Sequence, residues 1–325
     1  MLYDFISVGG VTEDVIFFTK EGLVLNNKKD LLRQKLLAFE YGAKINITKS
    51  YSCFGGGASN TAVNLAKMGF KVACLANVGR DVRGQKVLDN LKANGIDTKI
   101  ISFDNKRNTG FSFIINSNND RIIFSCRGAN DNLSISSEQK KILKKSEWIY
   151  LTSLPNKSDN ILKDIFSVKN KIAWNPGLKQ LSGGINKIDK YLKETNVLML
   201  NKDEALELIK KTPSMKGYKD KYLLNEKNLL KILKNSGPEI IILTNGLKGA
   251  YYYDGKNFHH QDVYRRSVEV DATGVGDAFN STFIGIMLKL NGNFKKAMYW
   301  GMKNTASLVT KFGAQNGLMS LKNVK

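Results

Sequence analysis

The segment Asp271-Ala-Thr-Gly-Val-Gly-Asp277 runs directly into the apolar stretch Ala-Phe-Asn-Ser-Thr-Phe-Ile. Small residues feeding a helix start make an anion site. The first backbone N–H groups of a helix have no internal partners, and the helix dipole adds partial positive charge. Gly274 and Gly276 let the backbone approach a ligand closely. A bare carboxylate would repel a phosphate, so Asp277 needs its own explanation. One is a general base that takes a proton from a hydroxyl while the N–H groups around Gly274, Val275 and Gly276 cradle the phosphoryl group under attack. The other is a helix cap.

Further groups of this kind recur along the chain. Gly55-Gly56-Gly57-Ala58-Ser59-Asn60 precedes an amphipathic stretch, and an Asn that both donates and accepts suits a polyol. The dinucleotide fingerprint does not fit, because Asn60 stands where its third glycine would be. No Walker A sequence is present either: Gly249 to Gly255-Lys256 has the wrong spacing, and Asn257 replaces Ser/Thr. Asn201 and Glu204, three apart at a helix start, offer oxygen ligands that suit magnesium and its waters; the same pair also reads as a capping box. Thr244-Asn-Gly246-Leu-Lys-Gly249 could line a nucleotide or form a plain turn. His259 and His260 are the only histidines, and no Gly-x-Ser-x-Gly surrounds a serine. They read as surface histidines in a turn region.

The elements that must position these residues follow from the apolar pattern. Phe5–Val8, Lys71–Asn77, Trp148–Leu151, Ile172–Trp174, Val197–Leu200 and Ile240–Thr244 read as strands, alternating with helical stretches such as Ser59–Met68 and Arg83–Asn94. Such alternation predicts an α/β fold: a parallel sheet with helices on both faces and ligands at the carboxyl ends of the strands. Asp14, Asn175, Asn201 and Thr244 all follow strands in this reading. Gly42–Tyr51 and a hairpin of Gly110–Ile115 with Arg121–Ser125 across Asn116–Asp120 break the pattern. They predict a small extra sheet, built from segments near 14–52 and 109–127, that serves as a lid or a dimerising surface. The whole of 1–325 reads as one domain.

With 42% hydrophobic residues in 325, the chain can bury a large core. No apolar run approaches the about 20 residues that span a bilayer, so no membrane partner is expected. The first ten residues read as a strand, not as a signal peptide. Cys53, Cys74 and Cys126 fit no zinc or redox spacing, which points to a reduced, cytoplasmic setting. The formal net charge of +21 raises nucleic-acid binding. The lysines are scattered, however, and the densest stretch, Lys210 to Lys234, ends as an amphipathic helix with a solvated face, so nucleic acid is not favoured as the partner.

In order and spacing, these pieces resemble the ribokinase-like sugar kinases, the phosphofructokinase B family. Gly55-Gly56-x-Ala58-x-Asn60-x-Ala62 with Gly69 and Gly79 fits the first signature, and Gly274-Val275-Gly276-Asp277 centres the second. Val78-Gly79-Arg80-Asp81-Val82-Arg83-Gly84, Gly95-Ile96-Asp97-Thr98, Thr109-Gly110, Gly128-Ala129-Asn130, Asn201-x-x-Glu204, Thr244-x-Gly246-x-x-Gly249 and Gly313-Ala314 keep the family's order. The resemblance implies a Rossmann-like three-layer sandwich with a β lid, often dimerising through it. It also implies transfer of the ATP γ-phosphoryl group to a hydroxymethyl group of a sugar or nucleoside. Asp277 would be the general base, with Gly274, Val275 and Gly276 forming the anion hole. Asp14, Gly56, Gly57 and Asn60 would hold substrate hydroxyls. Asn201 and Glu204 would organise Mg2+ through water, while Thr244, Gly246, Gly249 and Asn304 would line ATP. A potassium site would use Asp271, Thr273, Leu308, Lys311, Gly313 and Gly317, several through backbone carbonyls.

The chain departs from the signatures at Ala272, Val275 and Thr282, and Asn175-Pro176-Gly177 lacks a basic residue often found there. Val275 narrows the site but keeps its N–H. The sequence leaves the acceptor open. A nucleoside kinase of adenosine type is the nearest alternative to a sugar kinase, with Phe111 and Phe113 as rings that could stack on a base or equally pack the lid. Arg107, Arg121 and Arg127 could meet a phosphorylated sugar.

Overall fold

The computed structural model describes residues 1–26, 35–117, 120–155, 158–215, 217–264 and 270–324. Its centre is an eight-stranded sheet in the order Phe258–Gln261, Ala250–Tyr253, Ile240–Thr244, Val197–Asn201, Lys171–Trp174, Ser146–Leu151, Tyr3–Val8, Val72–Leu75. The last six are parallel, and the first two close one edge as antiparallel strands. Both faces are buried, so alternate residues feed two cores. Ile6, Ile149, Ile172, Leu198 and Ile241 pack to one side; Phe5, Trp148, Ala173, Val197 and Ile242 pack to the other. This double burial is why these strands read as short continuous apolar runs.

The second core is roofed by the helices Gly57–Lys67, Val82–Ala93, Val275–Lys289 and Phe294–Leu308. The first and third are stitched together by Asn64, whose Nδ2 donates to the Ala278 carbonyl (3.1 Å), Ser281 Oγ (2.7 Å) and Thr282 Oγ1 (2.9 Å). Thr282, a departure from the family signature, is thus a buried partner in this network. Among the described residues, no helix is long and apolar enough to cross a membrane.

A second sheet, in the order Asp120–Cys126, Phe111–Ser117, Thr12–Phe18, Lys49–Gly55, projects from the carboxyl end of the central one. It joins the core at four glycine-bearing points: Gly10, just after Tyr3–Val8; Gly56, just before Gly57–Lys67; Gly110, just before Phe111–Ser117; and Gly128, just after Asp120–Cys126. Asn130 clamps the first. Its Oδ1 accepts from Val11 N (3.0 Å) and its Nδ2 donates to Val11 O (2.8 Å). Asp81 caps Val82–Ala93 through Gly84 N (2.7 Å) and accepts from Thr109 N and Oγ1, tying the entry of the sheet to that helix.

Several boundaries differ from the sequence reading. The strand expected over Gly42–Tyr51 begins only at Lys49. Its partner Thr12–Phe18 ends at Phe18, opposite Lys49, so earlier residues have no ladder to join. Lys71–Asn77 divides into Val72–Leu75 and Asn77–Gly79. His259 and His260 sit on the edge strand Phe258–Gln261 instead of in a turn, with His260 stacked on Tyr251 at 4.4 Å. The tip of the expected 116–120 hairpin, 118–119, and part of the expected 14–52 segment, 27–34, lie outside the described residues.

Candidate active site

Gly274 caps the helix Val275–Lys289 in the left-handed conformation (φ 75°). A Cβ there would lie 2.4 Å from Ala314 Cβ, so only glycine fits this turn. The first intrahelical bond runs from Ala278 N to Gly274 O (2.9 Å). The N–H groups of Val275, Gly276 and Asp277 therefore lie ahead of the helical ladder, at the positive end of the dipole. Gly276 is exposed, and a Cβ on it would meet nothing within 4 Å. The cradle opens onto free space.

Asp277 projects from the first turn of this helix and is partly buried. Burial pushes its carboxyl up to about 6, against an ordinary 3.8, and the bond donated by Asn60 Nδ2 (2.8 Å) pulls the other way. A carboxylate poised near neutrality suits proton abstraction better than capping. Asn60 comes from Gly57–Lys67, whose start is set by Gly56. That glycine has φ 88°, and a Cβ would fall 2.4 Å from the Gly10 carbonyl. Gly57 packs on Thr152, where a Cβ would lie 2.9 Å from its Cβ. Asp14 stands on Thr12–Phe18, buried, with Thr12 Oγ1 donating to it at 3.0 Å. Burial raises its pKa, partly countered by hydrogen bonds from Ser112 and Thr12. Its carboxylate lies over Gly55, where a Cβ would be 2.0 Å from Oδ2.

Beside Gly276 opens a cleft of about 420 Å3 lined by Asn201, Thr244, Gly246, Gly249, Val275 and Phe279, among others. Three separate sequence motifs thus meet on one wall. Asn201 and Thr244 are register partners at the carboxyl ends of adjacent strands. Asn201 and Glu204 form a reciprocal capping box: Asn201 Oδ1 accepts from Glu204 N and Glu204 Oε2 accepts from Asn201 N, both at 2.8 Å. Burial raises the Glu204 pKa, with the Asn201 N–H opposing and the nearby Asp277 charge adding to the rise. The capping-box reading of this pair holds, and the pair also stands within electrostatic reach of Asp277.

Asn304 does not join the cleft. It is fully buried, donating to Asn64 Oδ1 (2.9 Å) and Thr282 Oγ1 (2.8 Å) and accepting from Met319 N (2.8 Å). Its helix lines the cleft with Met302, Thr305 and Ala306 instead. The expected potassium ligands cluster around one turn. Asp271 accepts from Thr273 N and Oγ1 and from Gly313 N, while Leu308 O accepts from Lys311 N. Gly317 packs on Leu308, where a Cβ would be 2.5 Å from the Leu308 oxygen. Among the described residues, no group of three His, Cys, Asp or Glu could hold a metal by itself.

Of the two readings for the lid aromatics, packing within the lid holds: the Phe111 and Phe113 rings meet at 5.0 Å. Register pairs Glu13 with Phe111, Asp14 with Ser112, and Val15 with Phe113. Phe111 and Phe113 therefore share the face opposite Asp14, with Arg83 over the Phe111 ring at 4.6 Å. The Asp14 face carries Phe18 and Tyr51, which pack with Phe312 at 4.8–5.0 Å. Phe111→Ala and Phe113→Ala are expected to lower stability by about 1–3 kcal/mol while leaving the acceptor KM within about threefold. A tenfold rise in that KM would bring a ring back into the site.

Comparison with known proteins agrees with this fold. Residues 32–321 match the pfkB family carbohydrate kinase. A ribokinase from Haemophilus influenzae is 26% identical over 274 residues, covering 82% of this chain and 84% of its own. Among solved structures, ribokinase from Arabidopsis thaliana complexed with ribose and ATP superposes with a TM-score of 0.78 at 17% identity, covering 99% of this chain and 97% of its own. The nucleoside kinase of Burkholderia thailandensis in complex with inosine gives 0.75 at 15% identity, with 97% and 95% coverage. Because the family match spans most of its length, this chain belongs to the pfkB family of carbohydrate kinases and is a phosphotransferase acting on an alcohol group.

Proposed function

We propose that this chain transfers the γ-phosphoryl group of ATP to a hydroxymethyl group of an unphosphorylated sugar, with Asp277 as the general base. The observation that carries the reading is Asp277 itself. Its pKa is pushed up to about 6, and it is bonded by Asn60 beside a helix start with three free-standing N–H groups. ATP lies along the cleft of Thr244, Gly246 and Gly249, its γ-phosphate over Val275 and Gly276. The acceptor sits between Asp14, Gly56, Gly57 and the base. Asp277 takes the hydroxyl proton as the oxygen attacks, and the N–H cradle stabilises the transferring charge. Mg2+ bound with ATP would neutralise phosphate charge, and Asn201 with Glu204, whose Oε1 stays outside the capping box, would organise it through water. Asp271, Thr273, Leu308, Lys311, Gly313 and Gly317 would hold a potassium ion, whose charge would help order the cradle.

Closure of the four-stranded sheet about Gly10, Gly56, Gly110 and Gly128 excludes water. Its outer face, with Phe111, Phe113 and the exposed Phe124, is where a second copy would pair. The three free cysteines fit a cytoplasmic setting. An unphosphorylated acceptor is supported by the engagement of nearby cations. Arg127 and Arg107 both approach Asp131, at 2.8 and 3.6 Å. A nucleoside acceptor is the second reading, favoured by the Phe18, Tyr51 and Phe312 rings on the Asp14 face.

The test is ATP consumption against sugars, sugar phosphates and nucleosides, with Mg2+ and with K+ or Na+. Turnover on a free sugar supports the proposal. Turnover on nucleosides alone selects the second reading, and turnover on sugar phosphates alone overturns the unphosphorylated acceptor.

A further inference from the structure

Asn60 helps Asp277 only if its amide nitrogen, and not its oxygen, faces the carboxylate. An ionised carboxylate only accepts, and an amide donates from one end. A chain of amides running away from the base sets this direction. Asn60 Nδ2 donates to Asp277 Oδ2 (2.8 Å). Gln315 Nε2 donates to Asn60 Oδ1 (3.0 Å) and to Ser59 Oγ (2.7 Å). Asn90 Nδ2 donates to Gln315 Oε1 (3.0 Å). Every link has the same polarity. Ser59, Asn60 and Gln315 are buried, while Asn90 lies half-buried on Val82–Ala93, beside a polar hollow that also holds Cys53 and Lys67. Lys67 Nζ donates to the Gln315 carbonyl (3.2 Å) and holds its backbone still.

We propose that Gln315 is a positioning residue for phosphoryl transfer: it fixes the Asn60 amide with nitrogen toward Asp277, and Asn90 fixes Gln315 in turn. The proposal rests on Asp277 being the base. Without the Gln315 donor, the Asn60 amide is free to present its oxygen to Asp277. That orientation favours protonated Asp277, so the base loses competence at a higher pH. The other titratable groups facing Asp277 are Tyr150, from Ser146–Leu151, and Glu204, from Lys202–Lys210; Lys67 is the charged group against Gln315. None of them is altered in the test.

The experiment is the pH profile of kcat/KM for wild type, Gln315→Met and Asn90→Ala, with Asp277→Asn in parallel. Gln315→Met keeps the shape and removes the donor. Its acidic limb is expected to move up by about one pH unit, so kcat/KM at pH 6 falls about fivefold and kcat/KM at pH 9 barely changes. Asn90→Ala, at a half-exposed helix position, is expected to shift the limb the same way by less. A purely structural role would lower activity equally at every pH. If Asp277→Asn is inactive and the limb of Gln315→Met stays at the wild-type pH, the positioning role is overturned while the base stands. If Asp277→Asn turns over normally, the base assignment itself has failed. Should Gln315→Met not fold, an unshifted limb in Asn90→Ala overturns the proposal alone.

Discussion

Asp277→Asn is expected to lower kcat by about 10²–10⁴-fold, the usual contribution of a positioned base, with KM for ATP and acceptor little changed. The amide keeps the shape of the side chain and an oxygen to accept from Asn60, so the site stays assembled and only proton abstraction is lost. Wild-type kcat/KM should fall below pH about 6, because burial holds the carboxyl there and the base must be ionised. The same burial predicts an opposite effect on stability. With a folded pKa near 6 and an unfolded one near 3.8, the folded chain binds more protons between these values. Wild-type stability therefore declines as pH rises through that window. The neutral variant escapes this decline, so Asp277→Asn should be the more stable protein at pH 8, by up to about 3 kcal/mol, with the gap closing toward pH 4. Thermal melts across pH, beside steady-state kinetics, check both halves. A variant that turns over normally rules out the base. One that is inactive but gains nothing at pH 8 means Asp277 is better solvated than its surroundings imply.

The parts of this site that were legible in sequence are local ones. Gly274-Val275-Gly276-Asp277 announces a helix start with a carboxylate because all the relevant geometry lies within one turn. The central strands were legible because burial on both faces leaves no polar residue to interrupt Ile240–Thr244 or Trp148–Leu151. What escaped depends on distant partners. Period-two alternation sorts Phe111 and Phe113 from Ser112, but which face turns inward is set by pairing with Thr12–Phe18 and by Arg83. For Asn304 the family resemblance implies a place along ATP, and its helix does line the cleft through Met302, Thr305 and Ala306. Its own direction was decided by Asn64, 240 positions away. Gln315 meets Asn60 across 255 positions, and nothing in either local sequence announces the contact.

Gly274→Ala is expected to lower kcat/KM by about 10²-fold or more, because it moves the cradle and not the base. Two separate strains converge on that residue. A non-glycine residue at φ 75° costs about 1–2 kcal/mol. Its Cβ would also sit 2.4 Å from Ala314 Cβ and 3.0 Å from Ala314 Cα, so the turn or the 313–317 loop must shift. Either shift displaces the N–H groups of Val275 and Gly276 from the transferring phosphoryl group, and the second also disturbs Gln315. Gly276→Ala is the matched control. Its Cβ meets nothing within 4 Å and the position is helical, so stability should hold or rise by up to about 1 kcal/mol. The added methyl, however, stands on the cleft wall where phosphates must approach, and KM for ATP should rise. Combining Gly274→Ala with Ala314→Gly removes the 2.4 Å contact but leaves the 3.0 Å approach to the Cα of residue 314 and the unfavourable φ, so rescue should be partial. Melting curves and kinetics of the three variants separate these effects. Full activity in Gly274→Ala would mean that the helix start does not cradle the transferred group, and the base would then have to act beside some other anion site.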